Sequence, residues 1–364
     1  MKTLRNNLII WTLGLFLISG AVHGQDPNFS QFFNTPVYYN PAFTGLNTGL
    51  RARFTFRDQW PNIPSPFKSY YFSADVGERN LPGSGGLGIV VNSDNDAMGF
   101  IKNFSLGANF SVRVPLSDYM ITQVGIKAAV VEKSVDWDDF VFTDQLNEKY
   151  GNIYSTAFAR PDNNHKIFPD FGVGGLIQFS NEASRFNGTV GVAVDHIFQP
   201  DEGFLGTEKA PLPRKWVFHT DFIITTGDEG YSSNGVRGSG DPLKLNPGIL
   251  YQYQNGMAAL QAGMNLLKYN IYVGAWYKAA MGSKGYTALA LVAGYRYVFA
   301  EDMSVKFMYS YDLQMSGMSL GAGGAHEVSL ILDFDKLTLF GGGSSRGYYG
   351  GGRKKYSPIE CSSF

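Results

Sequence analysis

The chain has 364 residues, 44% of them hydrophobic and 17% charged, with 44 Gly, 28 Phe, 21 Tyr and a single Cys. That aromatic content excludes a disordered chain, and one Cys excludes a disulfide scaffold. A formal charge of −1 removes the long-range attraction to phosphate on which a nucleic-acid binder depends.

Residues 1–24 read as a secretory signal peptide. Lys2 and Arg5 form a positive start, Leu8 to Ile18 an apolar run too short for a comfortable bilayer span, and Ser19 to Gly24 a small-residue region before a cut at Gln25. An uncleaved N-terminal anchor is the competing reading. Removal of the segment takes away two cations and no acid, which moves the formal charge from −1 to −3. No later stretch reaches the ~20 apolar residues of a membrane helix, so a membrane-inserted form would have to be a closed barrel.

Period-two alternation governs the rest of the chain. Arg51, Arg53 and Arg57 alternate with Leu50, Ala52, Phe54 and Phe56; Phe104, Leu106, Ala108, Phe110, Val112 and Val114 oppose Ser105, Asn109, Ser111 and Arg113. Over 286–299, Leu289, Leu291, Ala293, Tyr295, Tyr297 and Phe299 oppose Ala288, Ala290, Gly294 and Arg296. In 303–313, apolar Val305, Phe307, Tyr309 and Leu313 face away from Ser304, Lys306, Ser310 and Asp312, and 326–334 alternates likewise with Ile331 as the exception. Such runs specify strands with one apolar and one polar face. A soluble sandwich also alternates. Here the runs are about twice the usual globular strand length, aromatics gather toward the ends of the apolar faces, and the opposite faces are rich in Gly, Ala and Ser, as in a lumen.

The expected fold is therefore an all-β transmembrane antiparallel barrel of about fourteen strands in the outer membrane. Strands are expected near 50–58, 67–76, 85–92, 102–114, 119–133, 168–179, 186–197, 214–226, 244–254, 256–268, 270–278, 286–298, 302–313 and 325–334. An even count puts both termini in the periplasm and the long connections 134–167 and 198–213 outside, with short periplasmic turns such as 115–118, 180–184, 269–270 and 300–302. Connection 227–243 breaks that rule as a long periplasmic loop. The division expected is 1–24 signal peptide, 25–49 periplasmic or plug segment, 50–340 barrel, and 341–364 a flexible, basic, Gly-rich periplasmic tail.

Three stretches carry a family resemblance. QDPNFSQFFNTPVYYNPAFTG (Gln25–Gly45), FRDQWPNIPSPF (Phe56–Phe67) and the closing GGAHEVSLILDF (Gly323–Phe334), with YRYVFAEDMSVKFMYSYD (Tyr295–Asp312) before it, resemble the PorP/SprF family. The resemblance spans about 25–336. It implies an outer-membrane component of the type IX secretion system of Bacteroidota, associated with the periplasmic ring and translocon. It also implies service to one large surface protein, such as a gliding adhesin, that carries the matching secretion signal. The tail beyond Leu337 departs from the family pattern.

Catalytic signals are thin, so no enzymatic activity and no cofactor are expected. The histidines of the mature chain lack zinc-site spacing, no nucleophile elbow is expected, and GSGGLG (Gly83–Gly88) reads as a turn that opens a strand, with no helix following. The acids Asp94, Asp96, Asp136, Asp138, Asp139 and Asp144 read as solvated outer-loop carboxylates rather than a calcium loop. The candidate site residues are cations on polar faces: Arg51, Arg53, Arg57, Lys127, Arg296 and Lys306. Lipid exposure would cost each ~2–4 kcal/mol near the midplane, so they point to the lumen. There they pair with acids such as Asp312 and Glu327, or else hold segment 25–49 as a plug or bind a passing ligand. Arg353, Lys354 and Lys355 of the tail are candidate contacts for periplasmic partners. Expected partners are a secreted cargo protein, ring and translocon components, and outer-membrane lipid. The alternative function is a channel or transporter for small or hydrophobic molecules.

Overall fold

The computed structural model describes residues 27–337 apart from 78–83, 96–99, 118, 139, 162, 182–184, 205–208, 227–241, 282–286, 301, 317–319 and 336. The expected signal peptide, the tail with Arg353, Lys354 and Lys355, most of connection 227–243, Asp96 and Asp139 lie outside these residues.

The strands run in chain order as β1 (Gly49–Gln59), β2 (Phe67–Gly77), β3 (Ser84–Asn95), β4 (Ile101–Ser117) and β5 (Met120–Val135). A two-residue pair comes next, β6 (Leu146–Asn147) and β7 (Gly151–Asn152), then β8 (His165–Asn181), β9 (Phe186–Asp195), β10 (Lys215–Thr226) and β11 (Leu243–Gln254). The last five are β12 (Met257–Lys268), β13 (Ile271–Met281), β14 (Thr287–Ala300), β15 (Met303–Ser316) and β16 (Ala325–Phe334). All except β6 and β7 form one closed antiparallel barrel of fourteen strands, each paired with its sequence neighbour and β16 returning to β1. Among the described residues no helix is long and apolar enough to cross a membrane; this barrel crosses with strands. Closure removes the sheet edges that lipid could not satisfy.

Alternation sets the two faces. On β15, Met303, Phe307, Tyr309 and Leu313 are exposed on the outside, whereas Ser304, Lys306, Met308, Ser310 and Asp312 are buried inside. Ile331, the exception in the pattern, faces inward and is buried. Turn chemistry reflects local sequence: β11 and β12 meet at Asn255–Gly256 and β12 and β13 at Tyr269–Asn270, with positive φ at all four residues. Two residues of that hand match the twist of the flanking strands.

Two expectations need correction. Asp94 is not a loop residue; it lies in β3, opposite Ser69 and Asn103. Pro115 is not in a turn either, because β4 continues to Ser117 with a register irregularity between Pro115 and Ser117. A bulge of this kind tolerates the missing proline N–H.

The interior is packed. Residues 27–48 run through the lumen as a chain of single turns (Phe32–Asn34, Pro36–Tyr39 and Pro41–Phe43) before Gly49 opens β1. Phe32 and Tyr39 join a cluster with Val217, Leu250, Tyr272 and Trp276 of the wall, and Phe29 and Val37 join Tyr71 and Val90. The small residues of the inner faces are thus seats rather than open lumen. A Cβ at Gly125 would strike the backbone of Pro41 and Ala42, and one at Gly174 the side chain of Asn40.

Candidate functional site

The most elaborate polar cluster joins the N-terminal segment to the wall. Register places Arg57 opposite Glu327 across the β1–β16 seam. Arg57 reaches Asp312 at 2.9 Å and Glu327 at 3.1 Å, and Lys278 of β13 reaches Asp312 at 3.0 Å. Into this set the segment inserts Ser30 and Gln31. Their backbone N–H groups donate to the Glu327 carboxylate at 2.7 and 2.8 Å, and the Ser30 hydroxyl donates to Asp312 at 2.7 Å. Arg57 and Lys278 both donate to the Ser30 oxygen. Arg57 therefore both pairs with lumen acids and touches the segment. Charge-assisted bonds to buried carboxylates are the strong class of hydrogen bond.

Further along, the segment is held mostly by neutral groups, with the Asp75 carboxylate at its end. Tyr39 accepts from the Phe29 N–H at 2.9 Å. Asn40 caps the next turn by accepting from Ala42 N–H at 2.9 Å, and its amide meets His219 Nε2 at 2.8 Å. The Thr44 carbonyl accepts from Ser111 at 2.6 Å and Gln123 at 2.7 Å, and Gly45 N–H donates to Asp75 at 2.8 Å.

The other sequence-derived cations fall into separate places. Arg51 pairs with Asp333 and Arg53 with Asp75. Lys127 sits apart, on Asp170 and Asp195. Arg296 donates to Ser304 at 3.1 Å, and Lys306 lies over the Tyr272 ring. Sequence reasoning passed over Lys278, Asp75 and Ser30. The first two lie on inner faces and were open to the same alternation argument, whereas Ser30 precedes any regular element.

At the rim opposite β1's first residue, connection 136–164 folds on an aromatic stack. Phe142 and Phe158 lie 4.7 Å apart, and Trp137 and Phe140 5.7 Å apart. Around this stack Val141, Leu146, Tyr150, Ile153 and Tyr154 are exposed. Asp144 accepts from Ala157 N–H at 2.6 Å and from Thr156 at 3.0 Å, and these bonds, Ala157 first, hold its carboxyl below the usual range. Asp138 pairs with Arg160. Among the described residues no group of acids and histidines could hold a metal ion. Two pentapeptides, 317–321 (GMSLG) and 343–347 (GSSRG), do fit the GxSxG pattern, against the expectation that none occurs. Both serines lie outside the described residues, and the first pentapeptide connects two antiparallel strands, not the strand and helix of a nucleophile elbow.

Comparison with known proteins gives low overall likeness to solved barrels. A Pseudomonas aeruginosa FadL homologue is 12% identical, covering 83% of this chain and 94% of its own, with a TM-score of 0.41. The CymD monoaromatic hydrocarbon channel is 10% identical over 82% and 91%, with a TM-score of 0.39, and Acinetobacter baumannii Omp33 8% identical over 80% and 99%, with 0.35. At those scores they carry no argument about what this barrel does. No curated protein matches. The family profile described as type IX secretion system membrane protein PorP/SprF, by contrast, matches residues 21–332, nearly the whole barrel and its N-terminal segment, and the chain belongs to that family.

Proposed function

We propose that the protein is a non-enzymatic outer-membrane adaptor of type IX secretion, serving the export or surface attachment of one large surface protein such as a gliding adhesin. The observation that carries this reading is the filled lumen. A barrel whose interior is packed with its own residues 27–48 offers its rims, not its bore, to other molecules. The exposed aromatic and aliphatic surface of 136–164 suits a protein partner, with long connections outward and termini in the periplasm. At the periplasmic rim the basic tail, including Arg353, Lys354 and Lys355, together with loop 227–243, would meet ring and translocon components after the signal peptide is removed.

The test is affinity purification of the tagged protein from its native outer membrane, followed by mass spectrometry. Recovery of one large secreted protein together with secretion-ring subunits supports the adaptor. A barrel that purifies alone and conducts solutes in a lipid bilayer refutes it and favours a channel or transporter. Deletion of 341–364 should abolish surface delivery and leave barrel assembly intact; normal delivery would remove the tail from the mechanism.

A further inference from the structure

On the outside of the barrel, register places Lys68 of β2, Asn95 of β3 and Lys102 of β4 side by side. They stand at the rim from which connection 136–164 leaves β5. Tyr71, Val90 and Asn109 of these strands are buried inside, so alternation turns the three to the outer face. They share it with the exposed Tyr70, Phe72, Phe104 and Leu106.

Side-chain size shapes the surface below them. In the next row Ser93 lies between Tyr70 and Phe104, and in the row after it Val91 lies between Phe72 and Leu106. The four flanking side chains are between 37% and 50% exposed, whereas Ser93 and Val91 are half-buried. A small residue between two large ones, twice in succession, leaves a groove along β3. It closes at Ile89, which is 47% exposed and stands between Ala74 and Ala108. From Asn95 to Val91 the groove runs about 14 Å, at about 3.4 Å per residue.

The head of the groove is cationic. Among the described residues neither lysine ammonium has a carboxylate within 4.0 Å or a hydrogen-bond acceptor, and the Asn95 amide has no partner either. The acids of this face stand to its sides. Glu132 of β5 is paired with His165 at 2.9 Å, and Asp58 of β1 lies across from Lys68 without coming within 4.0 Å of it. With strands about 4.8 Å apart, the two lysines are about 10 Å apart across Asn95. Their flexible stems can lie along the apolar wall and bring both ammonium groups to one anion above the amide.

We infer that this row and groove bind one phosphate-bearing glycolipid of the outer leaflet. The phosphate sits on Lys68, Asn95 and Lys102, and an acyl chain follows the groove over Ser93 and Val91. Charge-assisted donors hold the phosphate, and the groove holds a chain that free phosphate lacks. The assignment rests on the outward placement of connection 136–164 and is independent of the adaptor role.

The experiment is native mass spectrometry of the purified full-length barrel released from detergent, which needs neither cargo nor ring components. The probes are monophosphoryl lipid A, its dephosphorylated counterpart and inorganic phosphate. Monophosphoryl lipid A should bind saturably, one per barrel, and the dephosphorylated lipid at least tenfold more weakly. Millimolar phosphate should not displace it. Lys68→Met with Lys102→Met should weaken binding at least tenfold, and Ser93→Phe, which fills the groove, at least threefold. Lys209→Met, an equal charge change at an exposed site in connection 196–214, should leave it unchanged. Heat-modifiable gel mobility shows whether each variant has folded, and the comparison of probes on the unaltered protein needs no variant. Equal binding of the dephosphorylated lipid, or displacement by phosphate, overturns the assignment. So does unchanged binding in the folded double variant, or an equal loss in Lys209→Met.

Discussion

Glu327→Ala should turn a silent barrel into one that opens. The Glu327 carboxylate accepts two backbone N–H bonds from the N-terminal segment, at Ser30 and Gln31. Each such bond to a charged group contributes ~1.5–3 kcal/mol, so their loss weakens the seat by ~3–6 kcal/mol. At 1.4 kcal/mol per decade, the unseated fraction rises by about two to four decades. The change also leaves Arg57 and Lys278 sharing the one carboxylate of Asp312, a buried excess charge that costs the wall stability too, so heat-modifiable gel mobility must first show a folded barrel. Planar-bilayer recording of the purified protein reads the effect directly: the unaltered barrel stays closed, and the variant shows discrete openings. Glu327→Gln, which keeps one acceptor oxygen, should fall between them. A folded Glu327→Ala barrel as silent as the parent would refute the idea that these bonds hold the segment in place.

Gly125→Val places a branched side chain against the backbone of Pro41 and Ala42 and should cost ~1–3 kcal/mol or more by overpacking, read as a lower barrel melting temperature or as conductance. Leu291→Arg, on the outer face of β14, should cost ~2–4 kcal/mol if it lies near the midplane and reduce the heat-modifiable fraction on refolding into lipid. Asp144 titrates below the ordinary carboxylate range because Ala157 and Thr156 hydrogen-bond its charged form. Its hold on connection 136–164 is therefore complete above the unfolded value and lost as pH falls through the lowered folded one. Hydrogen exchange at the Ala157 amide should accelerate only at that acid extreme, and loss of protection near neutrality would contradict the assignment.

The wall was legible in the sequence and its filling was not. Alternation marks strands because one face meets lipid and the other does not, and this two-sidedness is plainest along β4 and β15. It even flagged Ile331, which breaks the pattern and is buried on the inner face. The path of residues 27–48 has no such signature. Its turns are three or four residues long, and its partners Asp312 and Glu327 lie more than 280 residues away in sequence. Glycines on inner faces read as lumen because sequence shows the missing side chain but not the Pro41 or Asn40 that takes its place.

A barrel of fourteen strands makes filling a physical issue. Eight strands enclose roughly what their own side chains fill, and sixteen to eighteen leave a water channel, so fourteen need either water or an added core. Here Phe29, Phe32, Val37, Tyr39, Ala42 and Leu46 supply that core, all nearly inaccessible to solvent. At ~1.5–3 kcal/mol for each of the five larger side chains, their burial contributes at most ~8–15 kcal/mol. That exceeds the ~3–6 kcal/mol assigned to the Glu327 bonds, so the polar cluster sets where the segment sits while apolar burial sets whether it leaves. The two can be separated. Glu327→Ala should give brief openings from a mostly closed state, whereas deletion of 27–44, which removes five of the six anchors and keeps the turn into β1, should leave the pore open throughout a recording. A deletion barrel that folds yet stays closed would show that the wall side chains seal the lumen unaided, and the segment would then need another role.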